Sequence, residues 1–72
     1  MKIEYDSQND LMNIEFLPDE QIFESQEFNG IVVDYAQDGR IVALEILDAA
    51  KRTHKDPLGK LDFSVIRDSV AV

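Results

Sequence analysis

The strongest constraint on the fold of this chain is the dipeptide Asp38-Gly39, which lies between two apolar runs. Asp-Gly is typical of a two-residue type I′ turn, because that turn requires positive φ at both central positions. A turn of this type predicts an antiparallel hairpin over Gly30–Leu47 in a fixed register. The cross-strand pairs on one face of that hairpin are then all apolar: Tyr35/Val42, Val33/Leu44 and Ile31/Ile46.

The same register collects acidic residues on the opposite face of the hairpin. Asp34 and Glu45 fall there on neighbouring strands, so their carboxyl groups are diagonal neighbours. A slip of one residue would mix the apolar and the acidic residues on each face. Turn chemistry and side-chain pattern therefore favour the same register.

Alternation of apolar and polar residues predicts two more strands at the start of the chain. We expect them to form a hairpin with Ser7–Asp10 at its tip, because Asn9 and Asp10 tolerate turn conformations. The apolar cross-strand pairs of this hairpin would be Tyr5/Met12, Ile3/Ile14 and Met1/Phe16. Pro18 then ends the second strand, because proline lacks the donor that a ladder needs.

The stretch Ile22–Phe28 is apolar at both ends and polar between them, and it indicates a further strand. Asn29-Gly30, directly after it, is a second hairpin signal that would lay this strand against Ile31–Ala36. Alternatively, the polar centre marks an exposed edge of the sheet, where charge discourages stray pairing.

After Leu47 the spacing of apolar residues changes to that of a helix. Asp48 can cap a short helix that begins at Ala49 and Ala50 and ends before Pro57. Basic residues toward the C-terminal end of this helix favour its dipole. They are Lys51, Arg52, His54 and Lys55.

The last part of the chain leaves two interpretations open. Asp56-Pro57 could start another turn of helix, yet Leu61, Phe63 and Val65 alternate with polar residues like a strand. We favour a turn followed by an extra C-terminal strand. Residues 1–72 are then one α+β domain: a small antiparallel β-sheet, a meander of about five strands, with a short helix after the last hairpin.

The net charge is −8, and the acidity is concentrated in one half of the chain. Residues 1–39 carry ten acidic side chains and one basic, whereas residues 40–72 carry five acidic and six basic. Such a field repels phosphate and anionic lipid and favours cations or a basic protein. The basic patch of the sequence has no aromatic residue to stack on bases; it consists of Lys51, Arg52, Lys55 and Lys60. We expect neither a nucleic-acid nor a membrane partner.

Cysteine is absent and histidine occurs once, at His54. These counts exclude disulfides and thiolate metal sites and favour a reducing cytoplasm, and we expect no metal and no cofactor. The charged, alternating start differs from a secretory signal, and no apolar stretch reaches the roughly 20 residues of a membrane helix. A chain this short buries only about 60% of its unfolded surface, so we expect a homo-oligomer, a dimer or larger.

Asp34 and Glu45 are the pair of residues that could carry chemistry. Paired carboxylates can split their pKa values and act as acid and base, or share a cation. The sequence fixes no nucleophile, arginine or histidine beside them, and we predict no catalytic residue. One carboxylate could instead pair with Lys51 or Arg52 at the end of the helix. The candidate functional surface comprises Asp34, Glu45, Asp48, Lys51 and Arg52.

Six short motifs follow one another along the chain. They are Lys2-Ile3-Glu4-Tyr5-Asp6, Asp10-Leu11, Gly30-Ile31-Val32-Val33-Asp34-Tyr35, Asp38-Gly39, Glu45-Ile46-Leu47-Asp48-Ala49 and Lys51-Arg52. In content and spacing this series resembles a small bacterial family catalogued as domain of unknown function 2283. The resemblance covers Met1 to about Arg52, and it implies a small antiparallel sheet with a short helix and no established activity. Some members are encoded beside small toxin-like proteins, which suggests an antitoxin-like role.

Two classes of function follow from these features. The first is a non-catalytic interaction module that contacts itself or a small basic partner protein, with the antitoxin-like role as one version. Small size, the acidic field and apolar residues beyond the core face favour this class; those residues are Val32, Ile41 and Ala43. The alternative is a small-ligand or cation-binding protein, or an enzyme, that uses Asp34 and Glu45.

Overall fold

A computed structural model describes residues 1–53, 55–59 and 64–68 of the chain. Its strands form one antiparallel sheet, followed by a single-turn helix. The strands are β1 (Lys2–Asp6), β2 (Leu11–Glu15), β3 (Glu24–Phe28), β4 (Ile31–Tyr35) and β5 (Ile41–Leu47), and the helix is α1 (Ala49–Arg52). The predicted class, a five-stranded antiparallel sheet with a short helix after the last hairpin, is confirmed.

The strand order is β1-β2-β5-β4-β3, which departs from the expected meander at one connection. β2 pairs with β5, and residues 16–23, the β2–β3 connection, cross to the far edge of the sheet. The pairing places Ile14 opposite Leu44 and Met12 opposite Ile46. Because four of the five residues of β3 are polar (ESQEF), apolar contact explains why β5 and not β3 lies beside β2.

One side of this sheet, here called the apolar face, is built from cross-strand apolar pairs. Its members are Ile3, Tyr5, Met12, Ile14, Ile31, Val33, Leu44 and Ile46. The predicted pairs Tyr5/Met12 and Ile3/Ile14 are confirmed, as are Val33/Leu44 and Ile31/Ile46. Met1 and Phe16 lie beyond the ends of β1 and β2.

The turn between β4 and β5 differs from the predicted type I′ turn. Gly39 has φ +89°, but Asp38 does not have positive φ. The Ala36 N–H donates to the Arg40 carbonyl at 2.9 Å and the Gly39 N–H donates to the Ala36 carbonyl at 3.0 Å. This is the pattern of a three-residue loop, in which only the last residue is left-handed.

The longer loop changes the register at its end of the hairpin. A bulge next to Asp34 and Tyr35 puts Tyr35 opposite Ile41, so the predicted pair Tyr35/Val42 was wrong. The Asp38 carboxylate supplies the physical reason, because it accepts the Arg40 N–H at 3.2 Å and the Arg40 Nε–H at 2.7 Å. These bonds hold Asp38 in an ordinary turn conformation.

The type I′ turn occurs instead at Asn29-Gly30, where φ is +50° and +80°. It joins β3 to β4 with Phe28 opposite Ile31, which confirms the second predicted hairpin. β3 begins at Glu24, two residues after the predicted start at Ile22. Because β3 ends the strand order, the exposed-edge interpretation also holds.

Asp10, at the tip of the first hairpin, ties that hairpin to α1. Its Oδ1 accepts the Tyr5 hydroxyl at 2.7 Å and the Ala50 N–H at 2.9 Å. Its backbone carbonyl accepts the Ala49 N–H at 3.0 Å. These hydrogen bonds, first from Tyr5 and then from Ala50, hold the pKa of Asp10 below its usual range. The Asp10 bond in turn raises the pKa of Tyr5.

Asp48, the predicted helix cap, does not cap α1. It occupies the N-cap position with a left-handed backbone, φ +53°, and makes no side-chain capping bond. The first turn of α1 is capped by Asp10 instead. The Asp10 side chain accepts the Ala50 N–H, although the two residues are 40 positions apart in sequence. Lys51 and Arg52 lie in the last turn of the helix, as predicted.

The predicted C-terminal strand lies mostly outside the described residues, and so does His54. Of its apolar positions Val65 is described, and there the chain is not in a strand and the side chain is 83% exposed. Pro57 is buried, within a turn over residues 57–59.

Replacement of Asp10 should uncouple the first hairpin from the helix. We expect Asp10→Ala to lower the urea midpoint more than Asp19→Ala, a loop substitution at an exposed residue. Asp10→Asn, which keeps an oxygen acceptor, should fall between them. Because the folded pKa is lowered, the stabilisation is present above the unfolded pKa and is lost as the pH falls through the folded pKa. Equal midpoints for the two alanine variants would contradict this role.

The β4–β5 loop makes a separate prediction for Gly39. A Cβ at Gly39 would have no heavy atom within 4 Å, so Gly39→Ala should cost only left-handed backbone strain, about 1–2 kcal/mol in the free energy of unfolding. Gly39→Asn should cost clearly less, because asparagine tolerates that region. Urea unfolding of both variants measures the difference, and an unchanged stability for Gly39→Ala would refute the assigned loop.

Candidate functional site

Asp34 and Glu45 lie together on the side of the sheet opposite the apolar face. β4 and β5 pair Asp34 with Ala43 and Val32 with Glu45, which is the predicted diagonal arrangement. Asp34 is 3% exposed and is the buried charged side chain of the described residues. A carboxyl group buried to this degree needs hydrogen-bond partners.

Ser25 and Glu45 are the partners of Asp34. The Ser25 hydroxyl donates to Asp34 Oδ1 at 2.6 Å across the β3–β4 pair. A hydrogen bond with Asp34 is the main cause that raises the pKa of Glu45, followed by burial and by repulsion from the Asp34 charge. Glu45 therefore holds a proton more readily than a free glutamate.

These two carboxyl groups open into a cavity of about 330 Å³ under the β2–β3 connection. Further carboxyl and amide groups and an apolar wall line it: Leu11, Asn13, Glu15, Pro18, Glu20, Ile22, Asp34, Val42, Ala43 and Glu45. Asn13 lies directly opposite Glu45 on β2, and its Nδ2 donates to Glu15 Oε1 at 3.3 Å. The cavity combines two neighbouring carboxyl groups, an amide and an apolar wall.

The β2–β3 connection covers the far end of the cavity. The Val42 carbonyl accepts the Phe16 N–H at 2.8 Å and the Leu17 N–H at 3.1 Å, which anchors the start of the connection to β5. Val42 also belongs to a small buried cluster with Ala36 and Ala43. The connection thus forms one wall of the cavity, and strand periodicity does not predict its path.

The other predicted surface residues lie at the helix. Asp48 and Lys51 are exposed, and their side chains form an ion pair at 3.9 Å. The Arg52 guanidinium lies close to Gly30, at the β3–β4 turn. Within residues 1–53, 55–59 and 64–68, no ion pair joins Lys51 or Arg52 to Asp34 or Glu45. The predicted surface is therefore divided into an acidic cavity and a mixed-charge helix.

Sequence reasoning predicted that Asp34 and Glu45 are neighbours, but it did not predict that Ser25 and Asn13 lie beside them. Ser25 could have been found, because an Asn29-Gly30 turn places it opposite Asp34. Asn13 could not have been found in this way, because its position opposite Glu45 depends on the β2–β5 pairing.

The chemistry open to this site is proton exchange or recognition of a cation. Two carboxyl groups that share a proton can act as acid and base or neutralise a positive ligand. The nearby hydroxyl of Ser25 already donates to Asp34, and the described residues place no histidine beside it. The described part of the chain also contains no group of three or more acidic, histidine or cysteine residues arranged to hold a metal ion.

The fold and site define a small acidic protein with one antiparallel sheet, one apolar face and one carboxyl-lined face. Residues 2–49 match the family described as protein of unknown function DUF2283, and the chain belongs to that family. No curated protein and no solved structure matches the chain. In the part of the chain that is described, no helix has the length and apolar character needed to cross a membrane.

Replacement of Glu45 tests the shared proton. Because the folded pKa of Glu45 is raised, its stabilising contribution is complete below the unfolded pKa and is lost as the pH rises through the folded value. Glu45→Gln keeps a donor toward Asp34 and removes the repulsion, so at pH 7.5 it should stabilise the fold by about 0.5–1 kcal/mol, after allowance for solvent screening.

Urea unfolding between pH 4 and pH 8 measures this effect. The stability of Glu45→Gln should fall less with rising pH than that of the unsubstituted protein. Glu15→Gln is a matched control on the same face and should follow the unsubstituted profile. Parallel profiles for Glu45→Gln and the unsubstituted protein would rule out a shared proton.

Proposed function

We propose that this protein is a non-catalytic interaction module that associates with a second copy of itself through the apolar face. The observation that carries the proposal is the poor burial of that face: only Met12 among its eight members is buried. The other seven are half-buried, although they are aliphatic residues and a tyrosine. Apolar residues that form a continuous surface of this kind mark interaction sites.

The small interior of the single chain supports the same proposal. Apart from Pro57, the buried apolar residues of the described part are mostly alanines: Met12, Ala36, Val42, Ala43 and Ala49. None of the described large side chains is fully buried. A domain of this size gains stability when oligomerisation buries more apolar surface.

Large exposed residues extend the apolar face at its rim. By strand alternation, Phe16 and Phe28 point to this side, and they are 41% and 57% exposed. Met1 continues the face at the start of β1 and is 66% exposed. Aromatic residues in such positions are typical anchors of protein interfaces.

The distribution of charge favours a second copy as the occupant. Charged residues of β1, β2, β4 and β5 alternate onto the opposite side of the sheet: Lys2, Glu4, Asp6, Glu15, Asp34 and Glu45. Two apolar faces can therefore meet with the acidic sides turned outward. Repulsion between two chains of charge −8 is smallest in that arrangement.

The size of the face suggests modest affinity. Four strands about 4.8 Å apart, paired over about five residues that each rise about 3.4 Å, give a projected area of about 300 Å² per copy. Two such faces bury about 600 Å² in total, which is below the roughly 1,200 Å² of standard specific interfaces and in the range of weak, transient ones. We therefore expect a dimer with a dissociation constant in the micromolar range.

Substitution of the apolar face should shift the protein to a monomer. We expect the double variant Phe28→Ser/Val33→Thr to weaken self-association at least about tenfold, because it removes a rim anchor and a central apolar contact. Ile22→Ser is the matched control, because Ile22 is 51% exposed but lines the opposite, carboxyl-lined cavity. Sedimentation equilibrium over a concentration series provides the measurement. A strict monomer at high micromolar concentration would overturn the proposal.

The proposal also includes a small basic partner protein, with an antitoxin-like role as one version, in the cytoplasm. The acidic field of residues 1–39 supports such a partner. An antitoxin-like role predicts that co-expression relieves growth inhibition caused by the partner. Absence of relief would remove that version.

A second candidate function uses the carboxyl-lined cavity as a site for a small ligand or cation. Its support is the convergence of Asp34 and Glu45 in a concave site, with a raised pKa at Glu45. Titration with calcium and, separately, with ethylammonium would test it by following the amide shifts of Ser25 and Asp34. Shifts that vanish in Glu45→Gln would support the function, and unchanged spectra would dismiss it.

A further inference from the structure

The free edge of β3 is a second surface with a distinct chemistry. β3 ends the strand order and pairs on one side only, with β4. All five of its residues are exposed. An edge strand of this kind presents unpaired backbone donors and acceptors to which another strand can add.

The β3–β4 turn determines which backbone groups face outward. Phe28 and Ile31 flank the two-residue turn and close it as a hydrogen-bonded pair, so alternate residues of β3 direct their backbone groups away from β4. Those residues are Ser25 and Glu27. Their two N–H groups and two carbonyls are the hydrogen-bonding positions for an added strand.

The side chains of this edge are acidic on both faces of the sheet. Glu24 and Glu27 project to opposite faces because they are an odd number of residues apart. In the described part of the chain neither forms an ion pair; Glu24 accepts one hydrogen bond from Gln26, at 3.3 Å. Both carboxylates are therefore open to a cation from a partner.

We propose that the edge of β3 binds an extended, basic segment of a partner protein as a sixth strand. This inference rests on the proposed role as an interaction module and specifies how a basic partner would be held. The backbone of Ser25 and Glu27 would provide the ladder, and Glu24 and Glu27 would each meet a lysine or arginine. Basic residues three apart in the partner match that spacing, one on each face.

A second copy of this chain is a poor occupant of the same edge. Antiparallel pairing of two β3 strands would bring Glu24 and Glu27 of both copies into one seam, and like charges on neighbouring strands are destabilising. The opposite edge of the sheet is less suited to a basic strand. There Lys2 already pairs with Glu4, at 3.5 Å.

The test uses the full chain and a defined probe peptide, Thr-Lys-Val-Thr-Lys-Val-Thr, at low ionic strength. Amide shifts and amide hydrogen exchange locate the peptide, and a titration gives its affinity. A second peptide carries glutamate in place of both lysines. We expect the lysine peptide to shift β3 and to slow exchange at Ser25 and Glu27, and the glutamate peptide to leave both unchanged.

Charge reversal separates this edge from general attraction to an acidic protein. Glu27→Lys should weaken the lysine peptide about tenfold, whereas Asp19→Lys, with the same change in net charge at an exposed loop residue, should weaken it less than about threefold. Both sites are exposed, so neither substitution should disturb the fold. Equal losses, shifts centred on β1, or shifts without slowed exchange would overturn the proposal.

The apolar-face variant distinguishes this inference from the proposed self-association. Peptide binding at β3 that persists in monomeric Phe28→Ser/Val33→Thr would support the edge site independently of the dimer. If the unsubstituted protein is monomeric and still binds the peptide at β3, only self-association fails. If it is dimeric and the peptide does not bind, only the β3 inference fails.

Discussion

The pairing of β2 with β5 is the constraint on which the rest of this structure depends. It joins a local hairpin, β1-β2, to a second local unit, β3-β4-β5, and among the strands of the described residues no other pair connects the two. Ile14 opposite Leu44 and Met12 opposite Ile46 make the seam apolar on one face. The same seam carries Asn13 opposite Glu45 on the other face, so one pairing creates both the apolar face and the carboxyl-lined cavity.

Strand alternation keeps the two faces of the sheet chemically separate. The proposed self-association uses uncharged side chains, whereas the cavity and the β3 edge use carboxyl groups. A copy docked on the apolar face would leave Asp34, Glu45 and the free edge of β3 accessible. The protein could thus hold a second copy and a basic partner at the same time, and a single acidic sheet would serve as an adaptor between them.

The sequence correctly predicted features that depend on residues close together in the chain. The registers of Ile31 with Ile46 and Val33 with Leu44 were correct, because alternation and burial specify them. The predicted turn type of the β4–β5 loop was wrong because Asp38 binds Arg40. Turn propensity does not take that interaction into account. The strand order and the Asp10 cap lie beyond such reasoning, since both join residues distant in sequence. The placement of Asp34 beside Glu45 was predictable because both belong to one hairpin, whereas that of Asn13 depends on the strand order.

The link between Asp10 and α1 has a consequence for cooperativity. A helix of four residues is far below the roughly 12–15 residues at which a helix is marginally stable alone in water. Its first turn depends on oxygens of Asp10, so helix–coil equilibrium in this segment is governed by the first hairpin. Any partially unfolded state in which β1 and β2 have detached from β5 would also have lost α1. The start and the end of the segment that matches the family would therefore unfold together.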